Sequence, residues 1–211
     1  MKNKKVIILG SGESILNLSE DEINYINNCE YVIAVNKFAA FYEKSRIIPT
    51  HIYFHDLFGI KILLYIIKIL KRDKFDRITI FTNPYVKNLL YSYRLSLTYK
   101  VVIDLFYYRF LSLIKIFLKF GVNCDIHKFK LFRHFNYISI PKTYNIIQLK
   151  LSNWNSEKDS WGKSLGDRLY HYRGSLTTVL NIVSIVAPNQ EICLVGNDFK
   201  GDRYFYEDEL D

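Results

Sequence analysis

Cysteine, methionine and proline are all scarce in this chain of 211 residues, which holds three Cys, one Met and four Pro. Cys29, Cys124 and Cys193 are odd in number and far apart, which excludes a disulfide framework and a zinc knuckle and fits a reducing cytoplasm. Pro, Gly and Ser nowhere gather into a linker and no internal repeat is visible, so a single domain is expected. A phosphate-loop Gly-Lys-Ser/Thr is absent, which counts against triphosphate hydrolysis. Behind the positive Met1-Lys2-Asn3-Lys4-Lys5, the apolar run at 6–9 is too short for a secretory signal. A membrane-spanning helix needs about 20 nearly charge-free residues, and Asp104, Arg109, Lys115 and Lys119 interrupt the apolar stretch 101–121.

Aromatic and basic residues are abundant instead: 17 Tyr, 15 Phe, and 29 Lys and Arg against 21 Asp and Glu, for a net charge of +8. With 49% apolar and 24% charged residues the chain can pack a full core, which excludes a disordered or collagen-like protein. The charge is uneven. Residues 60–135 carry 15 Lys and Arg against 4 Asp and Glu, net +11, whereas 201–211 carry one Arg against five acids, net −4. A basic, aromatic chain suits an anionic partner: a nucleotide, a nucleic acid or an acidic membrane surface.

The N-terminal part alternates strands and helices. Residues 5–9 (KVIIL), 31–35 (YVIAV), 50–54 (THIYF) and 77–82 (RITIFT) read as strands, 20–27 as a polar amphipathic segment and 39–44 as a short helix. Near the far end, 176–186 reads as a helix stopped by Ala187-Pro188, and 191–195 (EICLV) as a strand stopped by Gly196-Asn197-Asp198. Strand, helix, strand in this order implies an α/β fold: a Rossmann-like, mostly parallel sheet flanked by helices. The stretches 59–71 and 101–121 are apolar with recurring Lys or Arg. They read as core helices with snorkelling Lys stems, or as interfacial helices at anionic headgroups. Residues 153–166 read as a loop.

Polar residues gather where strands end. Gly10-Ser11-Gly12-Glu13-Ser14 follows the first strand, where glycines let the backbone approach a phosphate or sugar. The dinucleotide fingerprint would require a third Gly where Ile15 stands, and an acid where Asn36 stands, which disfavours a redox cofactor. Asn36-Lys37, His55-Asp56 and Gly196-Asn197-Asp198 follow three further strands, and the carboxyl ends of parallel strands border one crevice. Asn36 can read a base or ribose edge, and Lys37 can face a phosphate. In Tyr172-Arg173-Gly174-Ser175, Ser175 suits an N-cap and Arg173 an anion site at a helix start. His51, His55, His127, His134 and His171 show no metal-ligand spacing, and the acidic tail 207–211 reads as a solvated charge run, so no metal is expected.

In their order, KKVIILGSGES, VNKF at 35–38, IYFHD at 52–56, and YRGS, a helix and EICLVGNDF at 172–199 resemble the bacterial sialyltransferases of glycosyltransferase family 42. The resemblance covers about the first 56 and the last 40 residues. It implies the A-type glycosyltransferase variant of the Rossmann-like fold: a nucleotide-sugar domain over 1–199, with a short lid beginning at 200–211. The donor would be a CMP-activated sugar, used without metal or cofactor. Gly10, Ser11, Gly12 and Ser14 would wrap the phosphate and ribose, and Asn36, Lys37 and Asp56 would contact nucleotide or sugar. Arg173 and Ser175 would border the donor carboxylate, Asp198 the cytidine, and Tyr204 or Tyr206 the donor phosphate.

Ser11, Glu13 and Asp56 replace the family's Asn, Pro and Asn, and its catalytic His follows the lid, a position beyond Asp211. Asp56 is then the first candidate base and His55 the second. An Asp after strand three also resembles a group that includes pterin pyrophosphokinase-like and flagellin-glycosylation proteins. The expected activity is transfer of sialic acid, or a related nonulosonic or ulosonic acid, to a surface glycan such as a lipooligosaccharide or capsule precursor. The expected setting is cytoplasmic, peripheral to the inner membrane, with residues 60–135 facing anionic lipid or acceptor. A homo-oligomer is compatible with this reading, and nucleic acid is not an expected partner. The alternatives are a non-catalytic nucleotide-sugar-binding protein, or another nucleotide-dependent enzyme on the same fold.

Overall fold

The computed structural model describes residues 3–55, 60–73, 75, 77–84, 87, 143–152, 161–171, 174–198 and 204–207. Its frame is a six-stranded sheet in the order β5-β4-β3-β2-β1-β8, in which every neighbouring pair is parallel. The strands are β1 (Asn3–Leu9), β2 (Cys29–Val35), β3 (His51–Phe54), β4 (Thr79–Thr82), β5 (Asn145–Gln148) and β8 (Ile192–Val195). Two two-residue strands, β6 (Lys150–Leu151) and β7 (Arg168–Leu169), form a separate parallel pair. The chain lays β1 to β5 outward in one direction and then crosses back to place β8 on the other side of β1. The switch point of this Rossmann-like sheet therefore lies between β1 and β8, and loops leaving such a pair diverge to open a crevice at the carboxyl ends.

Apolar runs make the inner strands β1 and β2, which are covered on both faces, whereas the edge strand β8 leaves Ile192, Cys193 and Leu194 exposed. Along β1, Val6 and Ile8 pack with Val179, Ile182 and Val183 of α4 (Ser175–Val186), while Ile7 and Leu9 pack on the other face. That second face holds α1 (Glu20–Asn27) and α3 (Ile60–Arg72), with the short α2 (Tyr42–Ser45) between them in sequence. Ser19 starts α1 through a capping box: its hydroxyl accepts from Glu22 N at 3.3 Å, and its own N–H donates to the Glu22 carboxylate at 2.8 Å. α4 ends at Val186, ahead of Pro188, as its sequence predicts.

Of the two readings for the apolar stretch 59–71, the core one holds. Leu63, Ile66, Ile67 and Leu70 of α3 are fully buried, and Lys68, Lys71 and Arg72 reach the surface, so among the described side chains of the helix the apolar ones face the core. Among the described residues no helix is long and apolar enough to cross a membrane. The stretch 101–121, most of the 153–166 loop and residues 208–211 of the acidic tail lie outside the described residues. β5, β6 and β7 were not expected from the sequence: β5 pairs with β4 across more than sixty residues (Thr79 beside Asn145), and β6 and β7 are too short to carry a pattern.

Candidate functional site at the carboxyl ends of the strands

The two loops at the switch point touch. Gly10 N donates to Val195 O at 2.8 Å and Gly12 N to Gly196 O at 2.7 Å, extending the β1–β8 ladder into the loops. A Cβ at Gly10 would lie 2.3 Å from Gly196 O, and one at Gly12 would lie 2.3 Å from Asp198 Cγ. The glycines expected to let a ligand approach thus serve first to bring the β8 loop onto the β1 loop. Ser14 N donates to Asp198 Oδ2 at 2.8 Å, and the Ser14 hydroxyl donates to Asp198 Oδ1. The Ser14 N–H that opens the 3-10 turn Glu13–Asn17 is thereby met by the protein's own carboxylate, held where the sequence suggested a phosphate. What this corner offers a ligand is an acceptor, the Asp198 carboxylate, suited to hydroxyl or amine hydrogens.

The segment 204–207 closes the same corner. Tyr204 bridges Gly12 in antiparallel fashion and Phe205 N donates to Ser11 O at 3.1 Å. Phe205 is buried against Phe38, with ring centroids 5.2 Å apart. Of the two tyrosines expected at the donor phosphate, Tyr206 is 2% exposed and stacks on Phe41 at 4.2 Å, with burial pushing its phenol pKa up. Tyr204 is 54% exposed and lies parallel to Tyr206 at 5.4 Å. Tyr206 is therefore part of the core, and Tyr204 is the tyrosine that solvent reaches.

Beside the glycine loop, Asn36 directly follows β2 in the left-handed region at φ 52°, which Asn tolerates better than most residues. Its Nδ2 donates to the Ser175 hydroxyl at 3.0 Å, and its Oδ1 is sealed from solvent without a hydrogen-bond partner. Ser175 differs from its expected capping role: the N-cap of α4 is Gly174, at φ 149°, and Ser175 is the first helical residue, turned to Asn36. Lys37 follows in the 3-10 turn Asn36–Phe41, half-buried. Arg173 and Asp56 lie outside the described residues.

A second cluster sits at the ends of β3 and β4. β3 is two strands from β1, which at a spacing of about 4.8 Å puts this cluster about 10 Å from the glycine loop. Asn83 Nδ2 donates to His55 O at 3.2 Å and lies 3.4 Å from His55 Nδ1. The His55 ring is 5.3 Å from that of His171. His171 is buried. Its N donates to the Ser152 hydroxyl at 2.8 Å, and its Nδ1 is 2.6 Å from the hydroxyl of Thr178 on α4. Burial, and secondarily the nearby His55, push the His171 pKa below its ordinary 6.5. Of these residues the sequence singled out only His55 as a candidate. The overlooked signal was Thr178 and Asn181, two polar residues three apart on the face that also carries Val179, Ile182 and Val183 into the core, and Asn83 as one more polar strand end.

Geometry thus joins Gly10, Ser11, Gly12, Ser14, Asp198, Tyr204 and Tyr206 into one corner and Asn36 with Ser175 into another, with His55 paired to His171 farther along the edge. Among the described residues no group of three or more His, Cys, Asp or Glu is placed to hold a metal ion. Comparison with protein-family models, with curated proteins and with solved structures finds no match to this chain.

Proposed function

We propose that this chain is a metal-independent glycosyltransferase that moves sialic acid, or a related nonulosonic or ulosonic acid, from a CMP-activated donor to a surface glycan. One observation supports the reading: the Asp198–Ser14 closure lies at the β1–β8 switch point, where a carboxylate would suit ribose or base hydrogens, and Asn36 bonds Ser175 at the start of α4. A phosphate next to that helix start would meet its unbonded N–H groups. The His55–His171 pair, about 10 Å along the edge, supports an acceptor position one nucleotide-phosphate length away.

The chemistry is a displacement at the anomeric carbon. The acceptor hydroxyl oxygen forms the new bond to that carbon as the bond to the phosphate oxygen breaks, and CMP leaves as a phosphate monoester. Its negative charge falls to Arg173, Lys37 or the exposed Tyr204 hydroxyl, and the acceptor proton to Asp56 or His55. A cytoplasmic enzyme working at the inner membrane face would meet lipid-linked acceptors there, and the basic residues of 60–135 suit an anionic surface.

The test is incubation of the full chain with CMP-activated nonulosonic acids and glycan acceptors, following CMP release and product by mass spectrometry. Transfer without added metal supports the proposal. Tight CMP binding with neither hydrolysis nor transfer replaces it with a non-catalytic binding protein.

A further inference from the structure

Helix α4 carries two polar side chains into the core, Thr178 and Asn181, both fully buried. A buried polar residue costs stability unless its hydrogen bonds are made, and Asn181 makes several. Its Oδ1 accepts from Gly162 N and from Tyr170 N, each at 2.9 Å, and its Nδ2 donates to Gly162 O at 2.9 Å. Thr178, one turn earlier, takes His171 at 2.6 Å. One helix therefore pins both ends of the segment 161–171.

The turn inside that segment is fixed as well. Asp167 accepts from Lys163 N at 2.9 Å and Ser164 N at 2.8 Å, which holds its carboxyl below the usual carboxylate pKa. Gly162 is packed so closely on Leu169 that a Cβ would lie 2.8 Å from its Cδ2.

This rigid unit displays an aromatic pair. Trp161 is 48% exposed, and its ring lies 6.3 Å from that of half-buried Tyr170 with planes 21° apart. A single exposed aromatic needs no explanation. Here, however, the buried Asn181 holds the backbone at Gly162, next to Trp161, and at Tyr170, so the rings are presented at little cost in conformational entropy. Tyr170 also directly precedes His171, whose ring faces His55 at the strand ends. Two rings are far below the roughly 1,000 Å² that a stable protein partner needs. They match one small ring with an apolar face, and the exposed Lys163 and Arg168 of the same segment carry donors suited to hydroxyl groups.

We propose that Trp161 and Tyr170 form a stacking platform for a neutral pyranose ring, the acceptor sugar, whose attacking hydroxyl is directed toward the His55–His171 pair. The assignment as acceptor rests on the glycosyl-transfer reading given above. The platform itself rests on the Asn181-locked pair.

Saturation-transfer NMR of the full chain with methyl β-galactopyranoside, methyl β-glucopyranoside and methyl α-mannopyranoside tests it, each with and without CMP. The expected result is millimolar binding of at least one glycoside through protons on one face of its ring. Trp161→Ala should weaken it about tenfold or more and Trp161→Phe should restore most of it. The CMP melting shift should be the same in all three proteins. Glycoside binding indifferent to Trp161→Ala overturns the platform. So does binding of CMP but of none of the glycosides, or a CMP shift that depends on Trp161. Trp161-dependent glycoside binding without any CMP binding keeps the platform and removes the proposed donor instead.

Discussion

The Asp198 carboxylate accepts both the backbone N–H of Ser14, at 2.8 Å, and the Ser14 hydroxyl, two residues 184 positions apart that join the loops after β1 and β8. The Asp198 side chain then fills the space above Gly12, where a methyl group would collide with it at 2.3 Å. Gly12→Ala should therefore destabilise the protein by about 1–3 kcal/mol, the usual cost of overpacking. Adding Asp198→Ala should return part of that loss while abolishing nucleotide binding. Urea denaturation of the two single variants and the double variant measures the coupling, and strictly additive effects would contradict the contact.

The segment 204–207 divides its work between core and site. Phe205→Ala should cost about 3–5 kcal/mol, since the ring is buried between Phe38 and Tyr206. Tyr204→Phe should leave stability within about 0.5 kcal/mol, because the ring is exposed, yet weaken nucleotide binding through the lost hydroxyl. Calorimetric titration of both variants separates the two roles. A Tyr204→Phe protein with unchanged affinity would remove Tyr204 from the site.

Asn181 is the keystone of the 161–171 segment. Asn181→Leu leaves Gly162 N, Gly162 O and Tyr170 N without their partner, at a cost of about 2–3 kcal/mol. In a Trp154→Phe background the remaining indole, Trp161, should show broadened or shifted emission as its turn loosens. Unchanged emission would mean that the turn holds itself, through Asp167 alone.

Much of this frame was legible in the sequence because local signals carried it. KVIIL and YVIAV read as strands and are the buried inner strands β1 and β2, EICLV reads as a strand and is the exposed edge strand β8, and Pro188 marked the end of α4. The strand-end logic correctly placed Gly12, Asn36, His55 and Asp198 on one edge of the sheet. What it could not supply was which of these groups use one another: Asp198 meets Ser14, and Asn36 meets Ser175, through crossovers spanning most of the chain. His171 was missed for the same reason. Its place beside His55 depends on Thr178 and on β7, a strand of two residues with no periodicity to read.

His171 also fixes a pH dependence. Burial lowers its folded-state pKa below 6.5, so above that value it is neutral in both folded and unfolded chains. As the pH falls below 6.5 the unfolded chain takes up the proton first, and stability declines until the folded pKa is reached. Denaturation midpoints should drop between pH 7.5 and 5.5, and His171→Gln should flatten that drop. A variant with the same pH slope as the parent would contradict the burial account.

The most direct test of the central claim is a melting scan of the full chain against nucleoside mono- and diphosphates, with NAD as a further arm. The account predicts that CMP raises Tm, that the shift persists with chelator present, and that it is lost in Asp198→Ala. Stabilisation by NAD or a uridine or guanosine diphosphate in place of CMP, or a CMP shift that survives Asp198→Ala, would contradict it.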